Sequence, residues 1–260
     1  MNAFKTDMKR ALTSWGFVVG VIGLAVAAFF GVFEQMTPIF QGKMTEGLEP
    51  GFTIGLVFSA LSSDVVLLVL PILCAIPFTP AFYDDYRNKF YRAYLPRAGN
   101  QPYMRAKVLT TVFSGGLTLF LGVMLVLVVF AILFAPMEVT PELPEMNAYE
   151  LDMYMQSMAD TDTVAAQLNF GELMTRSLVF FLSGSLWALV GGILCTVTMS
   201  KYMAYASPFI LYYVLVILSE RYFTSVYVIN PQEWLSPTGD WVGGTWGVAL
   251  LVLELVVILS

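Results

Sequence analysis

Apolar positions in this chain fall in long unbroken runs separated by short polar stretches. A helix needs about 20 apolar residues to cross the hydrocarbon core of a bilayer. Runs of that kind occupy 15–34, 62–82, 108–135, 174–199, 203–219 and 241–258. The pattern predicts an all-α, polytopic membrane protein, a single transmembrane domain over 1–260 with about six transmembrane helices. The segment 52–61, FTIGLVFSAL, is apolar but too short to span alone. It reads either as an extension of the second helix or as an interfacial piece. Lys5, Lys9 and Arg10 resemble the charged start of a signal peptide. However, the run from Gly16 to Phe33 exceeds the ~7–15 residues of a signal h-region, and no clear small-residue cleavage site follows. The expectation is a retained first span preceded by an interfacial helix at 1–14. No internal repeat is evident.

Composition supports the bilayer reading. Apolar residues make up 58% and charged residues 12%, against roughly 25% charged in a soluble domain. The net charge of −6 hides a more useful asymmetry. Orientation follows Lys and Arg in the loops rather than net charge. With alternating loops, Lys5, Lys9, Arg10, Arg87, Lys89, Arg92, Arg97, Arg105, Lys107 and Lys201 share one side, ten of the 13 basic residues. Lys43, Arg176 and Arg221 lie on the other. This count puts the N-terminus, the 83–107 loop and the C-terminus in the cytoplasm of a multi-pass plasma-membrane protein. There is no basic tail or run of the nucleic-acid-binding kind. The absence of histidine removes His-ligated haem, zinc-hydrolase sites and Ser-His or Cys-His pairs. Cys74 and Cys195 lie within apolar runs and read as packing residues, so no metal site is expected.

The outer segments are acidic. Glu138, Glu142, Glu145, Glu150, Asp152, Asp160, Asp162 and Glu172 fall in the 136–173 loop, which has no basic residue. It reads as a solvated outer face, or as a surface that attracts cations or cationic peptides. Within it, 164–175 has the pattern of an amphipathic surface helix. The 222–240 segment is broken by Pro231 and Pro237 and reads as an outer re-entrant piece. Trp234, Trp241 and Trp246 suit an interfacial belt.

The loop 83–107, YDDYRNKFYRAYLPRAGNQPYMRAK, is the most informative segment. Tyr83, Tyr86, Phe90 and Tyr94 recur at spacings of 3, 4 and 4, one face of a helix. Asp84 and Asp85 sit at its start, where they complement the helix dipole, and Arg87, Lys89 and Arg92 lie off the stripe. Pro96 and Gly99 stop it. The segment reads as a basic anchor on anionic membrane lipid or as a docking surface for a cytoplasmic partner. Pro71, Pro77 and Pro80 break the second span, as a static kink or as a bend that moves. Gly16, Gly20, Gly23, Ala27 and Gly31 present small residues along the first span, suited to close helix packing within the chain or against another subunit. Glu254 lies inside the last run, and an intramembrane carboxylate there wants a partner or a wet cavity. Asp64 marks the outer end of the second span. Glu172 and Arg176, four residues apart, are placed to pair with each other.

Together these features resemble the permease subunits of ABC-2 type ABC transporters. The stretch LVLPILCAIPFTPAFYDDYRNKFYRAYLPRAGNQPYMRAKVL carries the resemblance best. It has an acidic residue just past the span (Asp84 or Asp85), a break over Pro96 to Asn100, and a Tyr-x-x-x-Lys entry (Tyr103 to Lys107) to the third span. The NPxxWL piece at 230–235 is also similar. The resemblance implies an elbow helix at the N-terminus. It also implies a coupling helix near 84–95, carrying Asp84, Asp85, Arg87, Lys89, Phe90 and Arg92, that docks on a separate ABC ATPase subunit. A second permease subunit, homo- or heterodimeric, would meet this one through the first and fifth spans, the first by its small-residue face of Gly16, Gly20, Gly23 and Ala27. The cargo implied is a peptide, lipid or drug-like amphiphile, usually exported. The 136–172 loop departs from the family by its length. No Walker A sequence occurs, so ATP and Mg are expected in the partner ATPase and no cofactor in this chain. A secondary transporter or channel, an accessory or sensor protein, and an intramembrane enzyme are the rival classes. Neither an inverted repeat nor a set of intramembrane charges is visible to support a secondary transporter or channel, and the spans lack the clustered carboxylates that an intramembrane enzyme needs.

Overall fold

The structure is a computed structural model, and it describes residues 3–41, 52–90, 92, 99–134, 136, 170–222, 230–231, 234 and 244–259. Among the described residues the regular structure is all helical. In chain order the helices are α1 (Ala3–Leu12), α2 (Trp15–Gly31), α3 (Phe33–Phe40), α4 (Phe52–Leu61), α5 (Asp64–Ala75), α6 (Ala81–Arg87), α7 (Asn100–Phe134), α8 (Phe170–Thr198), α9 (Lys201–Tyr222) and α10 (Gly244–Leu259). Three of them contain stretches long and apolar enough to cross a membrane: Gln101–Phe134, Arg176–Thr198 and Lys201–Tyr222. Two bent pairs, α1 with α2 (50°) and α4 with α5 (65°), raise the number to five. The chain is a multi-pass membrane protein in this coarse sense. α10 contributes a shorter apolar stretch, Gly247–Leu259.

Both bends have the same local cause. Ser14 precedes α2 and Ser63 precedes α5, each in extended backbone, and each side-chain oxygen accepts from an amide in the first turn. A serine in this role satisfies a backbone donor that the preceding helix no longer can. The helix therefore restarts in a new direction. The apolar piece 52–61 is accordingly not a collinear extension: it is a separate helix, α4, set at 65° to α5.

α8 is the centre of the bundle, packed against α7, α10, α9 and α5. Trp187 of α8 is fully enclosed. It meets Tyr212 of α9 edge-on at 5.3 Å between ring centroids and stacks on Trp234 at 6.4 Å. Trp234 is thus a core residue at 4% exposure rather than a membrane-interface anchor. Trp241 lies outside the described residues, as do most of the acidic loop and most of the 222–240 segment.

α7 and α8 cross at glycines. A Cβ on Gly115 would lie 2.7 Å from the Gly184 carbonyl oxygen, and one on Gly184 would lie 2.6 Å from that of Gly115. Only backbones without side chains approach this closely. The small-residue face of α2 is used in the same way, inside the chain. A Cβ on Gly20 would meet Thr118 of α7 at 2.7 Å, and one on Gly23 would meet Leu73 of α5 at 3.0 Å. Ala27 is buried. This face, expected to pack within the chain or against a second subunit, is occupied by α5 and α7.

The α2–α5 contact has a further regularity. Pro77 and Pro80 have no amide, so the carbonyls of Leu73 and Ile76 lose the donor that would continue the helical ladder. The Leu73 oxygen faces Gly20 (3.0 Å from a built Cβ), and the Ile76 oxygen faces Gly16 (2.9 Å). The Ser14 hydroxyl donates to the Pro77 carbonyl at 3.3 Å. The glycines of α2 therefore cover the carbonyls that the prolines of the second apolar run leave open.

Candidate functional site at the basic end of the bundle

The 83–107 loop begins in α6 and ends in the first turns of α7. Asp84 and Asp85 are adjacent in α6, so their side chains diverge around the helix axis. Asp85 turns inward and is 4% exposed. Its Oδ1 pairs with Arg10 Nη1 of α1 at 3.0 Å, and its Oδ2 pairs with Lys107 Nζ of α7 at 2.7 Å. The Tyr103 hydroxyl donates to the same Oδ2 at 3.2 Å. Lys107 Nζ also reaches Asp7 Oδ1 of α1 at 3.1 Å. Tyr103 and Lys107 are four residues apart, and Asp7 and Arg10 three, so each pair lies on one face of its helix. Four charges from three helices thus meet in one cluster.

The cluster is compensated in number and in geometry. Asp7 and Asp85 balance Arg10 and Lys107. The Lys107 ammonium also lies 5.0 Å from the Phe78 ring centroid and 5.5 Å from that of Tyr103, a favourable arrangement for a cation on an aromatic face. Removing a buried charge from water costs several kcal/mol, and that cost is met only when partners are close and well aligned. Chemically this is a set of fixed charges that fastens α1, α6 and the foot of α7 together.

Asp84 turns the other way. Its Oδ1 pairs with Lys201 Nζ, at the start of α9, at 2.8 Å. This pair is far more open, with side-chain exposures of 29% and 43% against 5% and 6% for Asp85 and Lys107. Beside Lys107 lies a cavity of about 100 Å³. Phe78 and Phe82 line it on the α6 side, Met104 and Lys107 on α7, and Ile193 and Thr196 on α8.

The other expected site residues lie outside this cluster. Arg87, Lys89, Phe90 and Arg92 are exposed. The aromatic stripe does not form one continuous helix face. α6 ends at Arg87, and Lys89 takes a left-handed backbone, φ 57°, that turns the chain before Phe90. Tyr94 lies outside the described residues. Glu254 is exposed on α10, and Asp64 is exposed in the first turn of α5. The Arg176 guanidinium lies 5.1 Å from the Phe58 ring centroid, while the side chain of its expected partner Glu172 is outside the described set. Among the described residues no group of three or more His, Cys, Asp or Glu side chains is placed to hold a metal ion.

Two contributors escaped the sequence reading. Asp7 is a lone acid in a basic segment, three residues before Arg10, and that spacing is the signal that was available. Lys201 counted toward orientation, but nothing in the sequence ties it to Asp84. No protein-family model, curated protein or solved structure matches this chain.

Proposed function

We propose that this chain is the membrane-spanning permease subunit of an ATP-driven ABC exporter. On this reading the chain crosses the plasma membrane six times with its N-terminus in the cytoplasm. It forms the translocation pathway as a dimer with a second permease subunit and takes its energy from a separate ATPase subunit that binds ATP and Mg. Its cargo is a peptide, lipid or drug-like amphiphile. The observation that supports this most is the meeting of Asp85, Tyr103 and Lys107 in one buried cluster. These are the acidic and Tyr-x-x-x-Lys residues on which the resemblance to ABC-2 permeases rests. The exposed Arg87, Lys89, Phe90 and Arg92 next to that cluster supply a basic surface for the ATPase. Glu254 and Asp64 remain the polar residues to mutate if transport does not depend on ATP.

The test is affinity purification of the tagged chain in mild detergent, with mass spectrometry and an ATPase assay. A stoichiometric P-loop ATPase that is lost on combined charge reversal of Arg87, Lys89 and Arg92 is the expected result. A chain that purifies alone and without ATPase activity overturns the reading in favour of a secondary transporter, channel or sensor.

A further inference from the structure

We infer that Asp84 and Asp85 are positioning residues with different mechanical roles. Asp85 is the permanent fastener of a rigid foot, and Asp84 with Lys201 is a latch that opens between that foot and the α8–α9 hairpin. Three observations carry this. Asp85 has three partners on two other helices and is enclosed, whereas the contact shown for the Asp84 carboxylate is the single half-open pair with Lys201. Beside the direct contacts of α6 and α7 with α8, a cavity of about 100 Å³ opens between the foot and α8, lined by Phe82 and Met104 on one side and by Ile193 and Thr196 on the other. Met199, in the turn that joins α8 to α9 just before Lys201, holds a left-handed backbone, φ 51°, unusual for a residue with a long side chain.

The physical contrast is one of screening. An exposed ion pair is weak and yields to salt, whereas a buried pair is screened much less. The foot therefore moves as one body comprising α1, α6 and the start of α7. While the Asp84–Lys201 pair is closed, it ties α6 directly to the start of α9. The inference rests on the transporter reading only for the source of force on α6, the ATPase.

The experiment measures spin-label distances in the purified chain in nanodiscs, with Cys74→Ala and Cys195→Ala as background. One label pair, Asn88→Cys with Tyr202→Cys, reports α6 against α9. The other, Lys9→Cys with Arg105→Cys, reports α1 against α7. Raising salt from about 0.05 M to about 1 M, which shortens the screening length roughly fourfold or more, is expected to broaden the first distribution and leave the second unchanged. Asp84→Asn is expected to broaden the first at low salt, and Asp84→Lys with Lys201→Asp to narrow it again. An unchanged first distribution in Asp84→Asn, or equal broadening of both pairs in salt, overturns the latch. The chain alone decides this outcome. Addition of the ATPase with ATP then tests the transporter reading separately: broadening of the first pair supports it, and a chain that recruits no ATPase removes the motor without touching the latch.

Discussion

The basic end of the bundle and the α7–α8 crossing join helices by opposite means. At the first, Asp7, Asp85 and Lys107 bring three charges into a largely enclosed space, and the half-exposed Arg10 closes it at the rim. At the second, Gly115 and Gly184 bring two backbones into contact with no charge at all. In a bilayer apolar side chains gain little by leaving lipid for protein, so close packing and polar contacts carry helix association. The crossing uses packing, tolerates no added volume and has no preferred partner beyond shape. The charged cluster uses polarity, specifies its partners individually and fails if any one is lost. One device sets the distance between helices, and the other sets which segments travel together.

The largest expected effect tests the charged device. Lys107→Ala leaves two carboxylates without their shared cation and should destabilise the protein by about 3–5 kcal/mol, read as a fall in the melting temperature of the detergent-solubilised protein. A loss below about 1 kcal/mol, the range of exposed pairs, would mean that the cluster is solvated and the contrast with the glycine crossing is false. Gly184→Leu comes next. It forces side-chain atoms into a contact that is already backbone on backbone and should cost roughly 1–3 kcal/mol, while Gly184→Ala on the same scale should cost less. If Leu is tolerated there, the helices are not locked at that point. Met199→Gly should stabilise by about 0.5–1 kcal/mol, because glycine avoids the Cβ clash of the left-handed conformation but loses more chain entropy on folding. Asp84→Asn should cost only about 0.2–1 kcal/mol, and that loss should vanish in high salt. Equal effects for Asp84→Asn and Asp85→Asn would erase the distinction between the two adjacent carboxylates.

Much of this architecture is legible from local pattern. Long apolar runs place α2, α7, α8 and α9, because a helix that must satisfy its own backbone in lipid leaves few alternatives. The bends are less legible. LTSW at 12–15 and LSSD at 61–64 carry the capping serines, yet each sits inside or beside a long apolar run, where one or two small polar residues do not interrupt the pattern. The aromatic spacing over Tyr83 to Tyr94 predicts one continuous helix face, but α6 ends at Arg87 and the left-handed turn at Lys89 has no residue-type signal. The acidic residues after the second span and the Tyr-x-x-x-Lys entry located the cluster in sequence, but only Asp85 of the two adjacent acids enters it. Which of two neighbouring acids turns inward depends on the rotation of α6 about its axis, a tertiary property. Asp7 and Lys201 are paired across 100 and 117 positions of chain, and such long-range pairings leave no local trace.

The carbonyls of Leu73 and Ile76, facing glycines where proline has removed their amides, make those two positions spectroscopic reporters. A peptide carbonyl in a regular helix absorbs at a frequency lowered by its amide partner, and at these two sites that partner is absent. Carbon-13 labelling at Leu73 and Ile76 would set their bands apart from the rest of the helical envelope. Withdrawal of α2 from α5, with water taking the place of Gly16 and Gly20, would then appear as a red shift at two identifiable bonds, without a probe attached to any side chain.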